Sequence, residues 1–371
     1  MSSENEERKM NRIKQIEVIY NNQVVGRLAL TKEGLCAFEY SAEWLGSGFS
    51  ISPFELPLRS GVFVAKPRPF EGGFGVFDDC LPDGWGLLIL DRYLRQKGFN
   101  LRTLTLLDRL ALVGSTGRGA LEFRPDNSVI TRKDYVDFEK LALEAEQILD
   151  SDDYRGEGIE EFQDRGGSPG GARPKIFVRY DNKEWLVKFR AKRDPHNIGI
   201  DEYRYSLLAK QCGIEMPETR LFEDKYFGVE RFDRTSNGKL HVVSIAGLIG
   251  ADYRLPCIDY THIFQVCAML THSVAELWKV YRLMVFNYLI GNKDDHAKNF
   301  AFIYRDGDWH FAPAYDLLPS DGINGYRTTS INDKIEPTKE DMFAVAVRVG
   351  LKEKDTMSCL EKIQKTINYY M

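Results

Sequence analysis

The stretch IGNKDDHAKNFAFI, residues 290–303, decides the fold because it concentrates polar chemistry between two apolar segments. Within six positions it places two aspartates, a histidine, a lysine and an asparagine: Asp294, Asp295, His296, Lys298 and Asn299. A solvated loop, a metal site or a phosphate-handling site would each accommodate such a cluster. The surrounding sequence discriminates among these three possibilities.

The segment HSVAELWKVYRLMVFNYLIGN, residues 272–292, predicts a helix directly before the cluster. Ser273 and Glu276 have the spacing of a capping box, and Gly291 suits the position just past the helix end. The helix is apolar nearly all round toward its end, which predicts that it is buried. The polar cluster is therefore expected to emerge from a rigid, buried element.

The spacing within the cluster matches the catalytic loop of protein kinases, in which an asparagine follows an aspartate by five positions. Asp294 and Asn299 have this interval, whereas Asp295 does not. In such a loop the aspartate accepts the proton of the substrate hydroxyl, and the asparagine oxygen binds Mg²⁺, which prefers oxygen ligands. Asp316, in FAPAYDLLPS, is the expected downstream carboxylate that bridges Mg²⁺ to the phosphates.

The remaining residues of the cluster are assigned lesser roles. Lys298 is expected to neutralise the transferred phosphoryl group, and His296 to orient the loop rather than to transfer protons. Asp295 is interpreted as a bystander at the edge of the site. A zinc site is disfavoured, because one histidine without a nearby cysteine is a poor ligand set.

A second candidate element is the glycine-rich stretch GGSPGGARPK, residues 166–175. Glycines let backbone N–H groups approach an anion closely, and Arg173 and Lys175 add positive charge. The stretch matches neither G-x-x-x-x-G-K-[ST] nor G-x-G-x-x-G. Taken alone, a cluster of this composition is more often a flexible connection.

Lys188, in EWLVKFR, follows this stretch on a segment whose apolar neighbours predict a buried strand. A buried lysine is costly unless it is paired. In protein kinases a strand lysine contacts the ATP phosphates and pairs with a helix glutamate, for which Glu202 is the candidate here. The alternative is that Lys188 points outward from an edge strand.

Composition places the chain among globular proteins. Its 371 residues are 43% hydrophobic and 28% charged, and the net charge is −5. This acidic balance argues against broad binding to a nucleic-acid backbone, although it permits a DNA-binding partner. The six cysteines show no CxxC spacing, and neither a signal peptide nor a membrane span is apparent. The expected location is the cytoplasm.

Local patterns predict a mixed order of strands and helices. We expect a hairpin over residues 13–31 with an Asn-Asn turn, continued strand over 34–45, helices over 82–98 (with Pro82 in the first turn) and 103–114, two strands joined at Asp181-Asn182, and a helix over 199–214. Beyond Ser236 the pattern is mostly helical except around 300–313.

Five segments together carry a family resemblance: FDDCLPDGWG (77–86), GGSPGGARPK (166–175), VERFDR (229–234), NKDDHAKNF (292–300) and AYDLLP (314–319). In these the chain resembles the HipA family of bacterial toxin kinases, which are serine/threonine kinases of type II toxin–antitoxin modules. The segments span nearly the whole length, and the last two in combination are specific.

The resemblance implies an α+β, two-lobed protein-kinase-like fold with an additional N-terminal α+β subdomain and a mainly helical C-terminal lobe. The expected divisions are a disordered lead-in (1–15), a HipA-like N-terminal subdomain (16–127), a kinase N-lobe with the glycine-rich loop (128–235) and a helical C-lobe with the catalytic loop (236–371).

The resemblance also implies roles for individual residues, with ATP and Mg²⁺ as cofactors. Asp294 matches the catalytic base, supported by Lys298 and His296, and Asn299 and Asp316 match the Mg²⁺ ligands. Ser168 lies where the family carries an autophosphorylated serine. The residues expected to contact ATP are Ser168, Gly170, Gly171, Ala172, Arg173, Lys175, Lys188, Glu202 and, at the hinge that reads adenine, Glu230 and Phe232.

Partners follow from the same resemblance. The family implies a helix-turn-helix antitoxin, through which DNA is mainly contacted, and a protein substrate such as an aminoacyl-tRNA synthetase; no membrane is implied. Two alternatives are a small-molecule kinase of the aminoglycoside-phosphotransferase type and a catalytically weak corepressor that acts through its antitoxin.

Overall fold

The computed structural model describes residues 13–128, 135–152, 154, 156–166, 171–322 and 324–371. The chain divides into two compact units. The first comprises the described residues up to Gly199 together with Leu221–Lys239, and the second comprises Ile200–Arg220 and Leu240–Met371.

A five-stranded antiparallel sheet begins the first unit, in the order β4-β3-β2-β1-β5. Its strands are β1 (Gln15–Tyr20), β2 (Gln23–Leu30), β3 (Cys36–Tyr40), β4 (Phe63–Val64) and β5 (Glu122–Arg124). Asn21 and Asn22 join β1 to β2 with φ of 46° and 64°, which a two-residue type I′ turn requires at both positions. The predicted hairpin is therefore confirmed.

Four helices accompany this sheet: α1 (Ala42–Ser47), α2 (Gly75–Asp78), α3 (Gly84–Gln96) and α4 (Leu106–Val113). The strand predicted over 34–45 is wrong beyond Tyr40, because Ser41 Oγ accepts a hydrogen bond from Trp44 N–H at 3.1 Å and begins α1. The placement of Pro82 in the first turn of α3 is also wrong, since Asp83 precedes the first helical residue. Gly98, with φ of 82°, follows the end of α3 as predicted.

A four-stranded sheet completes the first unit, in the order β6-β7-β9-β8. The strands of this sheet are β6 (Lys175–Tyr180), β7 (Lys183–Lys188), β8 (Thr219–Phe222) and β9 (Tyr226–Glu230). Two helices precede them in the chain, α5 (Phe138–Asp150) and α6 (Gly158–Gly166), and a short hairpin of β10 (Arg234–Thr235) and β11 (Gly238–Lys239) follows. The predicted turn at Asp181-Asn182 is confirmed by φ of 50° and 57°.

The two faces of this sheet differ in their surroundings. One face packs into the core with side chains of α3, α5 and α6; its members are Ile176, Val178, Trp185 and Val187. Because side chains alternate along a strand, Lys175, Phe177, Leu186 and Lys188 share the opposite face. The sheet thus separates a hydrophobic core from a face that carries two lysines.

The second unit is mainly helical. Its helices are α7 (Ile198–Gln211, which begins in the first unit), α8 (Ile245–Ile249), α9 (Tyr260–Thr271), α10 (Val274–Leu289), α11 (Lys339–Arg348) and α12 (Glu353–Tyr370). Its strands are β12 (His241–Ser244), β13 (Ile258–Asp259), β14 (Ala301–Arg305), β15 (Asp308–Phe311) and β16 (Thr329–Ser330). β12 lies in a sheet of order β12-β14-β15 and corrects the expectation that strands beyond Ser236 occur only around 300–313.

Helix α10 is buried as predicted, but it begins differently. Ser273 makes no side-chain cap, so the predicted capping box is wrong. The carboxylate of Glu276 instead accepts a hydrogen bond from Phe311 N–H at 2.9 Å and lies 2.9 Å from the ammonium of Lys279. Gly291, with φ of 73°, follows the helix end as predicted.

Both units combine helices with sheets, so the predicted α+β class is confirmed. The division at residues 15, 127 and 235 stays a prediction. Within the described ranges, no helix is both long enough and apolar enough to cross a membrane.

Candidate active site

The backbone that carries Asp294 is fixed by two side chains of the second unit. Asp294 N–H donates to Ser320 Oγ at 2.8 Å and to Asn292 Oδ1 at 3.1 Å. Ser320 also accepts from Lys293 N–H at 2.9 Å and donates to Asn292 Oδ1 at 3.2 Å. The position of this aspartate is therefore defined by contacts outside its own side chain.

Asn299 lies against the same segment. Its side-chain Nδ2 donates to the backbone carbonyl of Asp294 at 2.8 Å. The interval of five residues thus brings the two predicted residues together. Because the amide nitrogen is committed to this hydrogen bond, Oδ1 is the atom suited to a hard cation such as Mg²⁺.

Lys298 and His296 lie in the turn between these residues, which includes a 3-10 turn over Ala297–Asn299. His296 Nδ1 accepts a hydrogen bond from Lys298 N–H at 3.2 Å, a contact of the kind that an orienting residue makes. The ammonium of Lys298 lies 4.1 Å from the ring centroid of Tyr253, and its carbonyl accepts from the hydroxyl of Tyr315 at 2.6 Å. Two aromatic residues thereby constrain Lys298.

Asp295 is not a bystander at the edge of the site; that interpretation is wrong. It is 1% exposed, whereas the neighbouring Asp294 is exposed. Its carboxylate accepts a hydrogen bond from the hydroxyl of Tyr260 at 2.9 Å and lies 3.8 Å from the guanidinium of Arg327, and its backbone carbonyl accepts from the hydroxyl of Thr329. Burial raises the pKa of Asp295 to about 7, against the opposing effects of Arg327 and Tyr260.

A chain of buried polar side chains links Asp295 to helix α10. Asn292 Nδ2 donates to Asn287 Oδ1 at 3.1 Å, and Asn287 Nδ2 donates to the hydroxyl of Tyr260 at 3.1 Å. Arg327 donates to the carbonyl of Asn292 at 3.0 Å. A satisfied buried network of this kind rigidifies its surroundings, and here it supports the backbone on both sides of Asp294.

Sequence reasoning missed Ser320, Arg327 and Tyr260. They lie 26, 33 and 34 positions from Asp294 in the chain, and no local pattern marks them. Asn292 and Asn287 carried a usable signal, because two asparagines at the end of an otherwise apolar helix require buried partners.

Asp316 follows β15 in the second unit and adopts a left-handed backbone with φ of 60°. Aspartate and asparagine tolerate this conformation better than most residues. Its carboxylate is a hard oxygen donor of a different type from the side-chain amide of Asn299. Within the described part of the chain, no group of three or more His, Cys, Asp or Glu side chains could hold a metal ion by itself.

Two buried lysines face each other in the first unit. Lys175, at the start of β6, and Lys188, at the end of β7, are direct partners in the antiparallel ladder. They are 5% and 9% exposed, and the ammonium of Lys188 lies 5.7 Å from the ring centroid of Phe227. The two cationic side chains thus lie at directly opposite positions on one face of the sheet. The alternative that Lys188 points outward from an edge strand is wrong, since β7 lies between β6 and β9.

The glycine-rich stretch is only partly described. Ser168 and Gly170 lie outside the described residues, so their predicted roles are untested. Gly171 N–H donates to the carboxylate of Asp83. The guanidinium of Arg173 makes two hydrogen bonds to Asp194, at 2.8 and 3.0 Å. This ion pair engages N–H groups of Arg173 that were expected to contact phosphate.

The other predicted nucleotide residues are distributed over both units. Glu230, at the end of β9, directs its carboxylate to the ammonium of Lys183 at 2.7 Å, which leaves its backbone as the group able to read a base. Glu202 is buried on α7 in the second unit, whereas Lys188 belongs to the first. The pairing of Lys188 with Glu202 and the adenine contacts of Glu230 and Phe232 stay predictions.

Family models match most of the chain. The model of the HipA-like C-terminal domain matches residues 167–369, and that of the HipA N-terminal domain matches residues 16–124. The chain belongs to the HipA family. The predicted family is therefore confirmed.

Individual HipA relatives are distant in sequence. A putative kinase of Sinorhizobium fredii is 28% identical over 194 residues, and this chain spans about half of its length (47%), aligned over 46% of its own. The serine/threonine-protein kinase toxin HipA of Shewanella oneidensis is 23% identical over 89% of this chain and 82% of that protein.

The solved structure of the Shewanella oneidensis toxin–antitoxin complex of HipA, HipB and operator DNA contains a chain of the same fold. The TM-score is 0.71 at 20% identity, and the match covers 96% of this chain and 89% of the other. The predicted HipA-like fold is thus confirmed.

The residues of this HipA chain fit the two cofactors that the family implies. Lys175 and Lys188 are cationic side chains at paired strand positions, and a polyphosphate requires positive charge of this kind. Asn299 Oδ1 and the carboxylate of Asp316 are hard oxygen donors, and Mg²⁺ commonly takes one or two protein oxygens together with phosphate and water.

Proposed function

We propose that this HipA-family chain is an ATP- and Mg²⁺-dependent kinase that phosphorylates serine or threonine hydroxyls of a protein. The hydrogen bond that joins Asn299 to Asp294, on a backbone already fixed by Ser320, carries the proposal. This bond holds a carboxylate and a side-chain amide oxygen close together on one short segment, which supports a role in phosphoryl transfer.

Each predicted site residue of the second unit then has a defined role. Asp294 would orient the attacking hydroxyl and accept its proton. Asn299 and Asp316 would hold Mg²⁺, and bound ATP would supply the phosphoryl group. Lys298, held by Tyr253 and Tyr315, would offset negative charge on the transferred group.

In the first unit, Lys175 and Lys188 would bind the phosphates of the nucleotide. Both side chains lie on one face of the β6–β7 ladder, so the two ammonium groups would reach the same polyphosphate. The half-buried side chain of Leu186 lies on the same face of the sheet and offers an apolar surface suited to a base. The neighbouring ring of Phe177 is covered by the guanidinium of Arg231, 4.2 Å from its centroid. The backbone of Glu230 and Phe232 would read the adenine edge, and Ser168 would be the site of autophosphorylation.

We also infer that the protein acts as the toxin of a toxin–antitoxin module. One relative supports this: HipA of Shewanella oneidensis is named a kinase toxin, and the matched structure from that organism is a complex of HipA with HipB and operator DNA. The net charge of −5 suits a protein that reaches DNA through a basic partner. A component of translation, such as an aminoacyl-tRNA synthetase, is the proposed substrate.

The chemical prediction concerns Asp294→Asn. Incubated with Mg²⁺ and labelled ATP, the wild type is expected to label itself or a protein of a cell lysate, and Asp294→Asn to reduce the rate by about 10²- to 10⁴-fold, the usual contribution of a general base. Asp306→Asn is the matched control, because Asp306 is an exposed aspartate of the β14–β15 turn in the same unit.

Three outcomes would contradict this prediction in different ways. A wild type that binds ATP but labels no protein fails as a protein kinase. Transfer to an aminoglycoside but not to protein would favour the small-molecule alternative. Equal rates for wild type and Asp294→Asn would remove Asp294 from the mechanism.

The physiological prediction uses the same pair of variants. Induced without a partner, wild type and Asp306→Asn should slow growth, whereas Asp294→Asn at equal protein level should not, because toxicity then depends on phosphoryl transfer. Growth curves with immunoblots measure this, and phosphoproteomics after induction identifies the substrate. Growth inhibition that persists in Asp294→Asn would favour the non-catalytic corepressor alternative.

A further inference from the structure

The turn before helix α3 holds the end of the glycine-rich stretch within the first unit. Trp85 N–H donates to the carbonyl of Gly171 at 3.0 Å, and Gly171 N–H donates to the carboxylate of Asp83. Both backbone polar groups of one residue are thus bound by a single turn, 86 to 88 positions away in the chain. This contact is not part of a β-ladder, since neither Gly171 nor the segment from Asp83 to Trp85 lies in a strand.

Gly84, between these two residues, permits the close approach. It has φ of 45°, and a Cβ atom built on it would lie 2.5 Å from the carbonyl oxygen and 2.7 Å from the carbonyl carbon of Gly171. Those atoms are backbone and cannot rotate away. Any larger residue at position 84 must therefore displace Gly171.

The same helix also holds the chain on the other side of residues 167–170. Trp85 is 2% exposed and packs edge-to-face on Phe162 of α6, with ring centroids 5.0 Å apart. At the far end of α3, Lys97 pairs with Glu160 of α6. Helix α6 ends at Gly166, so α3 contacts the chain on both sides of residues 167–170.

Gly171 is close to one of the two facing lysines. A Cβ atom on Gly171 would lie 2.7 Å from the ammonium nitrogen of Lys175. A shift of Gly171 would therefore change the space around this ammonium group. Asp83 and Trp85 thus contact Gly171, and Gly171 lies against Lys175, which the proposed function assigns to phosphate binding.

We infer that Asp83, Gly84 and Trp85 are positioning residues for nucleotide binding: they hold Gly171 and the adjacent Lys175 ammonium where the phosphates of the nucleotide bind. This inference rests on the proposed function and deepens it. A pre-formed backbone anchor lowers the ordering cost of binding, so its loss weakens affinity more than it changes the chemical step. The N-terminal family domain thereby contributes to a site that it does not itself supply with ligands.

The test compares Gly84→Ala with Gly98→Ala. Both glycines lie at the ends of α3 and have left-handed φ (45° and 82°), but a Cβ at Gly98 meets nothing within 4 Å. The backbone strain is thus shared, and the clash with Gly171 is present in Gly84→Ala alone. Gly84→Ala should raise the Kd for Mg²⁺ with a non-hydrolysable ATP analogue, and the KM for ATP, by about tenfold, with kcat changed less; tenfold corresponds to ~1.4 kcal/mol. Gly98→Ala should match wild type.

A second pair keeps the inference testable if Gly84→Ala does not fold, which circular dichroism would show. Asp83→Ala removes the acceptor for Gly171 N–H, whereas Asp83→Asn keeps an oxygen in its place. Asp83→Ala should raise the Kd of the analogue, and Asp83→Asn should restore most of the affinity.

Calorimetry on the wild type separates the two hypotheses. If the wild type binds the analogue and folded Gly84→Ala and Asp83→Ala bind it equally well, the positioning inference is overturned and the proposed kinase stands. If the wild type binds no nucleotide, the proposed function fails and the inference fails with it. Weaker binding by Asp83→Ala that Asp83→Asn does not improve would assign the effect to charge rather than to the anchor.

Discussion

At the scale of single residues, adjacent aspartates in one short stretch have opposite environments. Asp294 has its backbone fixed at the surface of the catalytic stretch, whereas Asp295 is enclosed by Tyr260, Arg327 and Thr329. An aspartate ionises near ~3.9 in an unfolded chain, whereas burial raises the pKa of Asp295 to about 7. The contribution of Asp295 to the free energy of unfolding is therefore complete below its pKa in the unfolded chain. It is lost as the pH rises through its pKa in the folded protein.

Asp295→Asn removes this titration while keeping an acceptor for Tyr260. The free energy of unfolding of the wild type, minus that of Asp295→Asn, should fall as the pH rises from about 5 to about 7, by at most about 1.4 kcal/mol per pH unit. Urea denaturation of both proteins across this range measures the difference, in which all other titrating groups cancel. A difference for Asp295→Asn that does not change with pH would contradict the burial argument.

At the scale of elements, the sequence predicted structure well wherever a local rule governs it. The paired left-handed residues of the Asn21-Asn22 and Asp181-Asn182 turns, and the helix ends at Gly98 and Gly291, follow from backbone preferences of single residues. The five-residue interval from Asp294 to Asn299 is local as well, which is why the sequence found this contact.

The errors occur where a distant contact overrides the local pattern. The carboxylate of Glu276 bonds Phe311, 35 positions away, instead of closing a capping box with Ser273. Strand β12 pairs with β14 across an interval of about 60 residues, and no local sequence pattern near His241 predicts this pairing. The anchors of Asp294 were missed for the same reason, because Ser320 acquires its role only when the chain returns to the catalytic stretch.

At the scale of the whole molecule, a buried ionic cluster in the first unit joins the loop before β5 to the segment that follows β9. Asp233 receives hydrogen bonds from Arg231 and Arg234 at 2.8 Å each, and from the backbone N–H of Gly119 at 2.8 Å. Both arginines also donate to the carbonyl of Gly117. The VERFDR segment, expected to read adenine, thereby also binds the N-terminal family domain to the sheet of β6 to β9.

Asp233→Asn should destabilise the first unit strongly, because it leaves two buried guanidinium groups without their main counter-charge; removing one partner of a buried ion pair costs about 3–5 kcal/mol. Burial acts to raise the pKa of Asp233, but the charges of Arg231 and Arg234 outweigh it and hold the pKa below its usual range. The stabilisation is thus present above the unfolded pKa and is lost as the pH falls, so the gap between variant and wild type should narrow in acid. Urea denaturation near neutral pH and in acid measures both effects.

Asp181→Asn is the control, since Asp181 is an exposed aspartate of the same unit. Its backbone is left-handed, a conformation that asparagine also tolerates. A variant as stable as this control would show that the cluster is not what holds the loop before β5 to the segment that follows β9.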